Sequence, residues 1–331
     1  MTRTVHFFLL LLSLVLLVAC TSKEQLAMEQ LSESIRQTEH DVVQLGVHID
    51  KGHIANTRKL LDYGEAVKAL LVGQPPKLIN LVDTLTLDAT SKGPIYTGLK
   101  ARLADAKANY QTVKGLAMIQ SALDELGAIK EASSMNNYGW MLTDPINVLA
   151  DMSEGKLARV EAMSKEASLK ANNAQDFGAG SQLVGNPSYG QWKQNSSGHS
   201  FWHWYGQYAF FSSMFRQPIN YGNWSRQRDY SYYNEAGRYN YTSPAQEKAI
   251  IRTEKQTRQK FKQSGKSFTS PYAKTNTGSA RSTMKSKKVA QSFSSSYSKS
   301  GKSAKSSSFF GSAGSRNSSS STSRSFSGGG K

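Results

Sequence analysis

One cysteine and six histidines in 331 residues leave little material for covalent or metal-based stabilisation. With a single cysteine no intrachain disulfide can form, so the folded part must rely on burying apolar side chains. Also missing is any apolar run long enough to cross a bilayer. The longest, Phe7 to Ala19, has thirteen residues, against the ~20 that a spanning helix needs. No Gly-x-Ser-x-Gly elbow occurs. Ser264–Ser267 and Ser300–Ser303 both read Ser-Gly-Lys-Ser, half of a phosphate-binding loop. The earlier glycine such a loop needs is replaced by Lys260 in one and Ser296 in the other. His199 and His203 stand four apart and would share one helix face, but two imidazoles fall short of the three or four ligands zinc takes. His40, His48 and His53 fall among polar helical positions. Carboxylates are scattered as helix charges, with no pair set apart in an apolar context. No catalytic residue, metal site or cofactor is expected, and enzymatic function is disfavoured.

What the start of the chain does contain is one charge, Arg3, then the Phe7–Ala19 apolar run, a small residue and Cys20. That order describes an export signal over residues 1–19. Leu17-Val18-Ala19-Cys20 resembles the lipobox of bacterial lipoproteins. The resemblance implies cleavage before Cys20, a diacylglyceryl group on its sulfur and a second acylation, typically palmitate, on the new amino terminus. More than one acyl chain anchors stably, since each buried methylene contributes ~0.8 kcal/mol. Thr21 stands where an aspartate would imply retention at the inner membrane. The resemblance therefore implies an exported, lipid-anchored protein, sorted to the outer membrane in a Gram-negative cell.

Charge divides the rest of the chain. Residues 21–172 hold 17 Lys+Arg against 19 Asp+Glu, and residues 173–331 hold 23 against 5. A near-neutral half followed by a strongly basic one suggests separate roles.

The first half reads as mainly α, an antiparallel helical bundle over residues 20–172. Met28, Leu31, Ile35, Thr38, Val42, Leu45 and Ile49 alternate steps of three and four, as on a bundle or coiled-coil seam. A second helix carries Ile54, Leu60, Leu61, Val67, Leu70 and Leu71 and ends near Gly73. A short apolar segment covers Leu78 to Leu87. One long helix is expected from Leu99 to about Lys130. Asp144-Pro145 then opens a helix, Asp as cap and Pro in its first turn, carrying Ile146, Leu149, Leu157, Val160 and Met163.

Residues 173–243 form an aromatic-rich segment of irregular structure. Tyr189 to Tyr241 has 17 aromatics in 53 residues, but Ile219 alone among Val, Ile and Leu. Aromatics without aliphatic filler fit an amphipathic contact surface against a membrane interface or a glycan, with Trp202, Trp204, Tyr205, Tyr208 and Trp224 as its members. Packing against the outside of the bundle remains open as the other reading. Phe201, Tyr205, Tyr208, Phe211 and Phe215 have helical spacing, and residues 229–242 suit a hairpin.

Pro244 to about Gln263 reads as a short basic helix, and residues 264–331 as a disordered Ser/Lys-rich tail. Ser fills 19 of the 36 positions from Ser292 to Ser327, and no acid follows Glu254. Lys285, Lys287, Lys288, Lys299, Lys302 and Lys305 are candidate polyanion contacts, binding by counterion release. Outside the cytoplasm the partners open to such a tail are anionic lipid headgroups, lipopolysaccharide, cell-wall polymers or extracellular DNA. Chromosomal nucleic acid is not among them. The leading expectation is a non-enzymatic envelope protein anchored by its lipid. The alternative is an accessory or assembly subunit whose bundle heptads bind a partner helix.

Overall fold

The computed structural model describes residues 23–160, 174–215 and 217–272. Over these the chain is mainly α, with one two-stranded sheet. Residues 1–22 with the lipobox-like stretch, Met163 and the Ser/Lys-rich sequence beyond Tyr272 lie outside the described residues.

Helix α1 spans Lys23–Asp50, and the seven-residue pattern read from sequence is its buried face: Leu31, Thr38, Val42, Leu45 and Ile49 are interior, with Met28 and Ile35 packed at the margin. Gly52, at φ +63°, ends the helix with its N–H donating to Ile49 O. Helix α2 (Ala55–Leu70) then does not fold back along α1. It packs on α3 (Pro76–Thr86), placing Gly64 against Val82 and the Thr86 methyl, with Leu60 and Val67 buried beside it. Pro76 and Pro94 each sit in a first helical turn, where the missing N–H costs nothing, and Pro94 opens α4 (Pro94–Asn109).

The partners of α1 are α4 and α5 (Leu116–Ala132). Helix α4 runs antiparallel to it, Lys107 meeting Glu39 at 2.5 Å while the Tyr96 hydroxyl donates to Val42 O at 3.1 Å. Helix α5 runs parallel: Gly115 N–H donates to Glu24 Oε1 near the start of α1, and Lys130 faces Asp41 further along. The single helix expected over 99–130 is therefore two. The apolar spacing continues in phase across the break, so periodicity alone does not reveal it. A 3-10 turn at Tyr110–Thr112 and Gly115 at φ +78° break the helix, and the Glu24 carboxylate takes up a freed N–H.

Helix α6 (Met135–Met141) leads into α7 (Thr143–Met152), which is almost wholly interior. It ends sooner than expected. Glu154 and Gly155 both take positive φ, leaving Leu157 and Val160 half-buried beyond the helix. Asp144 does not cap α7. Its carboxylate instead accepts the Tyr232 and Tyr233 N–H groups at 2.7 and 2.9 Å, from a segment nearly ninety positions away.

The aromatic segment contains a hairpin, β1 (Gly190–Gln194) and β2 (Ser200–Trp204), paired antiparallel with Trp192 opposite Trp202. Helical spacing from Phe201 to Phe215 thus misleads, because β2 is a strand and the helical pieces after it are short, a 3-10 turn at Gly206–Tyr208 and α8 (Phe211–Met214). Helix α9 (Tyr221–Gln227) follows. The hairpin expected over 229–242 is also corrected. Tyr233–Gly237 form a π turn running into α10 (Arg238–Tyr241), and the Asp144 carboxylate satisfies the N–H groups at the start of this helical stretch.

Helix α11 (Pro244–Gln263) matches its expected bounds. It begins with a capping box, Ser243 Oγ accepting from Gln246 N–H and the Gln246 side chain accepting from Ser243 N–H. One apolar core runs continuously from Leu31 in α1 to Trp224 in α9. The composition change near residue 172 is therefore not matched by a gap in packing.

The closeness of α1 and α4 depends on a small residue. A methyl group at Gly46 would overlap the Tyr96 hydroxyl, which already donates to Val42 O. Gly46→Ala is expected to destabilise the fold by about 1–3 kcal/mol through overpacking, whereas Val43→Ala on the exposed face of the same helix should stay within about 0.5 kcal/mol. Urea midpoints of the two variants measure the difference.

Candidate functional site

The five aromatics expected to form a contact surface are mostly interior. Trp202, Trp204, Tyr208 and Trp224 are buried, and only Tyr205 is exposed, at 37 %. Strand alternation explains the first two: along β2 the even positions Trp202 and Trp204 turn inward and His203 turns out. The rings then pack on each other. Trp192 meets Trp202 edge-on at 5.1 Å and Tyr221 at 4.7 Å, Trp202 meets Trp204 at 5.8 Å, and Trp204 meets Phe211 at 4.9 Å. A segment with one aliphatic residue builds its interior from edge-to-face rings, a favoured geometry that contributes about 0.5–1.5 kcal/mol per pair beyond burial.

Rings bring polar ends inside; the bundle supplies acceptors for Tyr189 and Tyr241, whereas the Trp192 and Trp202 indole N–H groups are buried without a partner among the described residues. The Tyr189 hydroxyl donates to Asp88 Oδ2 at 2.9 Å, the Tyr138 hydroxyl to Asp88 O, and the Tyr241 hydroxyl to Ala132 O. Arg102, buried in α4 and paired with Glu125, donates to Asn240 O at 2.6 Å. Burial pushes the Asp88 carboxyl up to about 7, against the pull of the Ile95 N–H and the Tyr189 hydroxyl. Asp144 is likewise pushed up to about 7 by burial, opposed by the Tyr233 and Tyr232 N–H groups, with Asp229 and Glu235 raising it further.

The acidic residues of the basic half follow one rule. There are five among residues 173–331, and none is exposed. Asp176 accepts Gly178 N–H at 3.0 Å. Asp229 lies 3.0 Å from Arg159, which also holds Asp151 at 2.7 Å, and accepts from Ser181. Glu235 pairs with Arg228 at 2.5 Å, and Arg228 donates onward to Pro271 O. Glu247 pairs with Arg238, whose guanidinium lies 3.8 Å over the Tyr272 ring. Glu254 accepts from Tyr221, Ser270 and Arg258.

The exposed charges of the same half are all basic: Lys193, Arg226, Lys248, Arg252, Lys255, Lys262 and Lys266. Five of these lie on α11 or just past it. The sequence showed that helix as basic along its length but not which way its two carboxylates turn. The signal for that was available, since Glu247 and Glu254 are seven apart and share a side with Ile250 and Thr257.

His199 and His203 do not come together. An extended chain separates residues four apart by about 13 Å, and His203 lies in β2. Among the described residues no group of three or more His, Cys, Asp or Glu is placed to hold a metal. Cys20 and the tail lysines Lys285, Lys287, Lys288, Lys299, Lys302 and Lys305 lie outside the described residues. Comparison with protein-family models, with curated proteins and with solved structures finds no match.

Asp144 gives the site a measurable pH signature. In the unfolded chain its carboxyl ionises near 3.8, but in the fold only near 7. The native state thus holds an extra proton between these values, and the stability this proton brings, full below about 4, is lost as pH rises through 7. Asp144→Asn carries no such penalty. The variant should gain on the parent by about 3 kcal/mol between pH 5 and pH 8, read from urea unfolding at both. A difference independent of pH would return Asp144 to the ordinary carboxylate range.

Proposed function

We propose that this chain is a membrane-anchored, non-enzymatic cell-envelope lipoprotein whose basic second half contacts anionic envelope surfaces. The lipobox-like Leu17-Val18-Ala19-Cys20 supports the anchor and the compartment. The observation that carries the contact is the sorting of charge: all five carboxylates of the second half are withdrawn into ion pairs or hydrogen bonds, and the charged side chains left exposed among the described residues of that half are all basic. A surface with no exposed acid attracts polyanions over several ångströms, and the sixteen Lys and Arg from Lys255 to Lys331 extend that field along the chain. Lys285, Lys287, Lys288, Lys299, Lys302 and Lys305 belong to that extension, and lipopolysaccharide, anionic headgroups and cell-wall polymers are its candidate partners. The aromatic rings support the fold in this reading and leave recognition to the cations.

The alternative is an accessory or assembly subunit that binds a partner through the helical bundle; the α1 seam is buried within this chain, so such a partner would have to use another face of the bundle.

Two measurements test the proposal. Labelled palmitate should enter the protein and be lost in Cys20→Ser, which should also leave the membrane fraction. The soluble Cys20→Ser chain, expressed without residues 1–19, should bind anionic vesicles or lipopolysaccharide at low salt and lose at least about tenfold in affinity at high salt. Equal binding to neutral vesicles would refute the contact, and label-free protein with unchanged fractionation would refute the anchor.

A further inference from the structure

We propose that the outer face of α11 is a docking strip for the phosphate-bearing headgroup layer of a membrane, a site that rests on the reading of the second half as a polyanion partner and gives it a place. At 100° per residue, Lys248, Ile251, Arg252, Lys255 and Lys262 fall within an arc of about 100°, and all five are exposed. The strip covers fourteen residue steps from Lys248 to Lys262, about 21 Å of helix. That is long enough to span several headgroups. The opposite side is committed to the fold: Ile250, Thr253, Glu254 and Thr257 are buried.

The strip is also held in place. The capping box fixes the start of α11. Toward its end Lys260 Nζ donates to Ser197 O at 2.5 Å in the β1–β2 turn, and Gln256 accepts from Gln194 at 2.7 Å. Lys260, which points off the strip, is used for docking the helix. The cations on the strip are presented on a rigid rod, so no backbone ordering is left to oppose binding.

Ile251 selects the partner. It lies among the cations with 43 % of its surface exposed. A polyphosphate or acidic polysaccharide chain gains nothing from an aliphatic side chain there. A bilayer does, because a cationic helix lying at headgroup level sinks its apolar side chains toward the acyl boundary.

The test uses the soluble Cys20→Ser chain with its tail intact. Its partitioning is measured on phosphatidylcholine vesicles with and without phosphatidylglycerol, and its affinity for inorganic polyphosphate alongside. Each base close to an anionic leaflet is worth about fivefold in partitioning. The variant K248Q/R252Q/K255Q/K262Q should therefore lose at least about tenfold on anionic vesicles, while K285Q/K287Q/K288Q/K299Q in the tail, neutralising the same number of charges, should lose less. Ile251→Ser should weaken vesicle binding a few-fold and leave polyphosphate binding unchanged. These side chains are exposed, and matching thermal melts of all variants confirm that the fold is kept. Parent-like vesicle binding by the α11 variant overturns the strip and leaves the wider polyanion reading to the tail. Equal losses on vesicles and polyphosphate, with no effect of Ile251→Ser, would make it a site for a soluble polyanion and overturn the membrane assignment. Absent binding by the parent itself would remove the underlying reading instead.

Discussion

A stretch of chain with a single Val, Ile or Leu among 53 residues has to make an interior from rings, and tyrosine and tryptophan rings come with polar ends. Whatever folds under that constraint needs buried acceptors from elsewhere. The bundle provides them. Asp144 takes two backbone N–H groups at the entry to the π turn, Asp88 takes the Tyr189 hydroxyl, and Ala132 O takes the Tyr241 hydroxyl. A carboxyl that ionised freely in such a place would carry a heavy desolvation cost, and burial raises the proton affinity of Asp88 and Asp144 accordingly. The bundle's buried acids thus act less as charges than as paired acceptors, and the aromatic half is built around them.

The same constraint accounts for the distribution of charge. Turning an acid inward is tolerable only with a cation or several donors beside it, because an unpartnered buried ion costs several kcal/mol. Arg159, Arg228 and Arg238 provide this for Asp229, Glu235 and Glu247. Arginine suits the task, since its planar fork can hold two acceptors at once, as Arg159 does with Asp151 and Asp229. Lysine, with its compact and strongly hydrated charge, stays outside. The basic excess of residues 173–331 is therefore displayed rather than diluted by neighbouring acids.

How far this was legible in sequence varied with the physics of each element. The α1 seam, the start of α11 and the mainly α class followed from local rules: periodicity for one, a proline at the helix start for the other. The break at residues 110–115 escaped because apolar positions stay in phase through it, so the information lay in Gly115 and in the distant Glu24 that receives its N–H. Asp144 carried a sound helix-start signal that the tertiary structure put to another use. The aromatic segment was the hardest to read. Spacing from Phe201 to Phe215 follows a helical period although Phe201 lies in a strand, and burial depends on neighbours that local spacing does not identify. The choice between a contact surface and packing on the bundle was decided by the β1–β2 register, which turns Trp202 and Trp204 inward together.

The division of charge along the chain also bears on how the two proposed attachments would work together. Three residue steps lead from Cys20 to Lys23, where α1 begins, and no backbone geometry carries three steps further than about 10 Å. With a lipid on Cys20, the foot of a rod some 42 Å long is held against the bilayer. A bundle of net charge −2 in that position is neither drawn to an anionic leaflet nor strongly repelled by it. The second half is different, with +18 overall and its exposed charges all basic among the described residues. Once the anchor makes encounter intramolecular, a strip of four cations needs only modest intrinsic affinity to stay engaged, because tethering raises its effective concentration at the surface. A neutral body near the lipid and a cationic face carried beyond it are what such a two-point attachment requires. A bundle as basic as the tail would instead bind the leaflet along its whole length and leave the second half no orienting role.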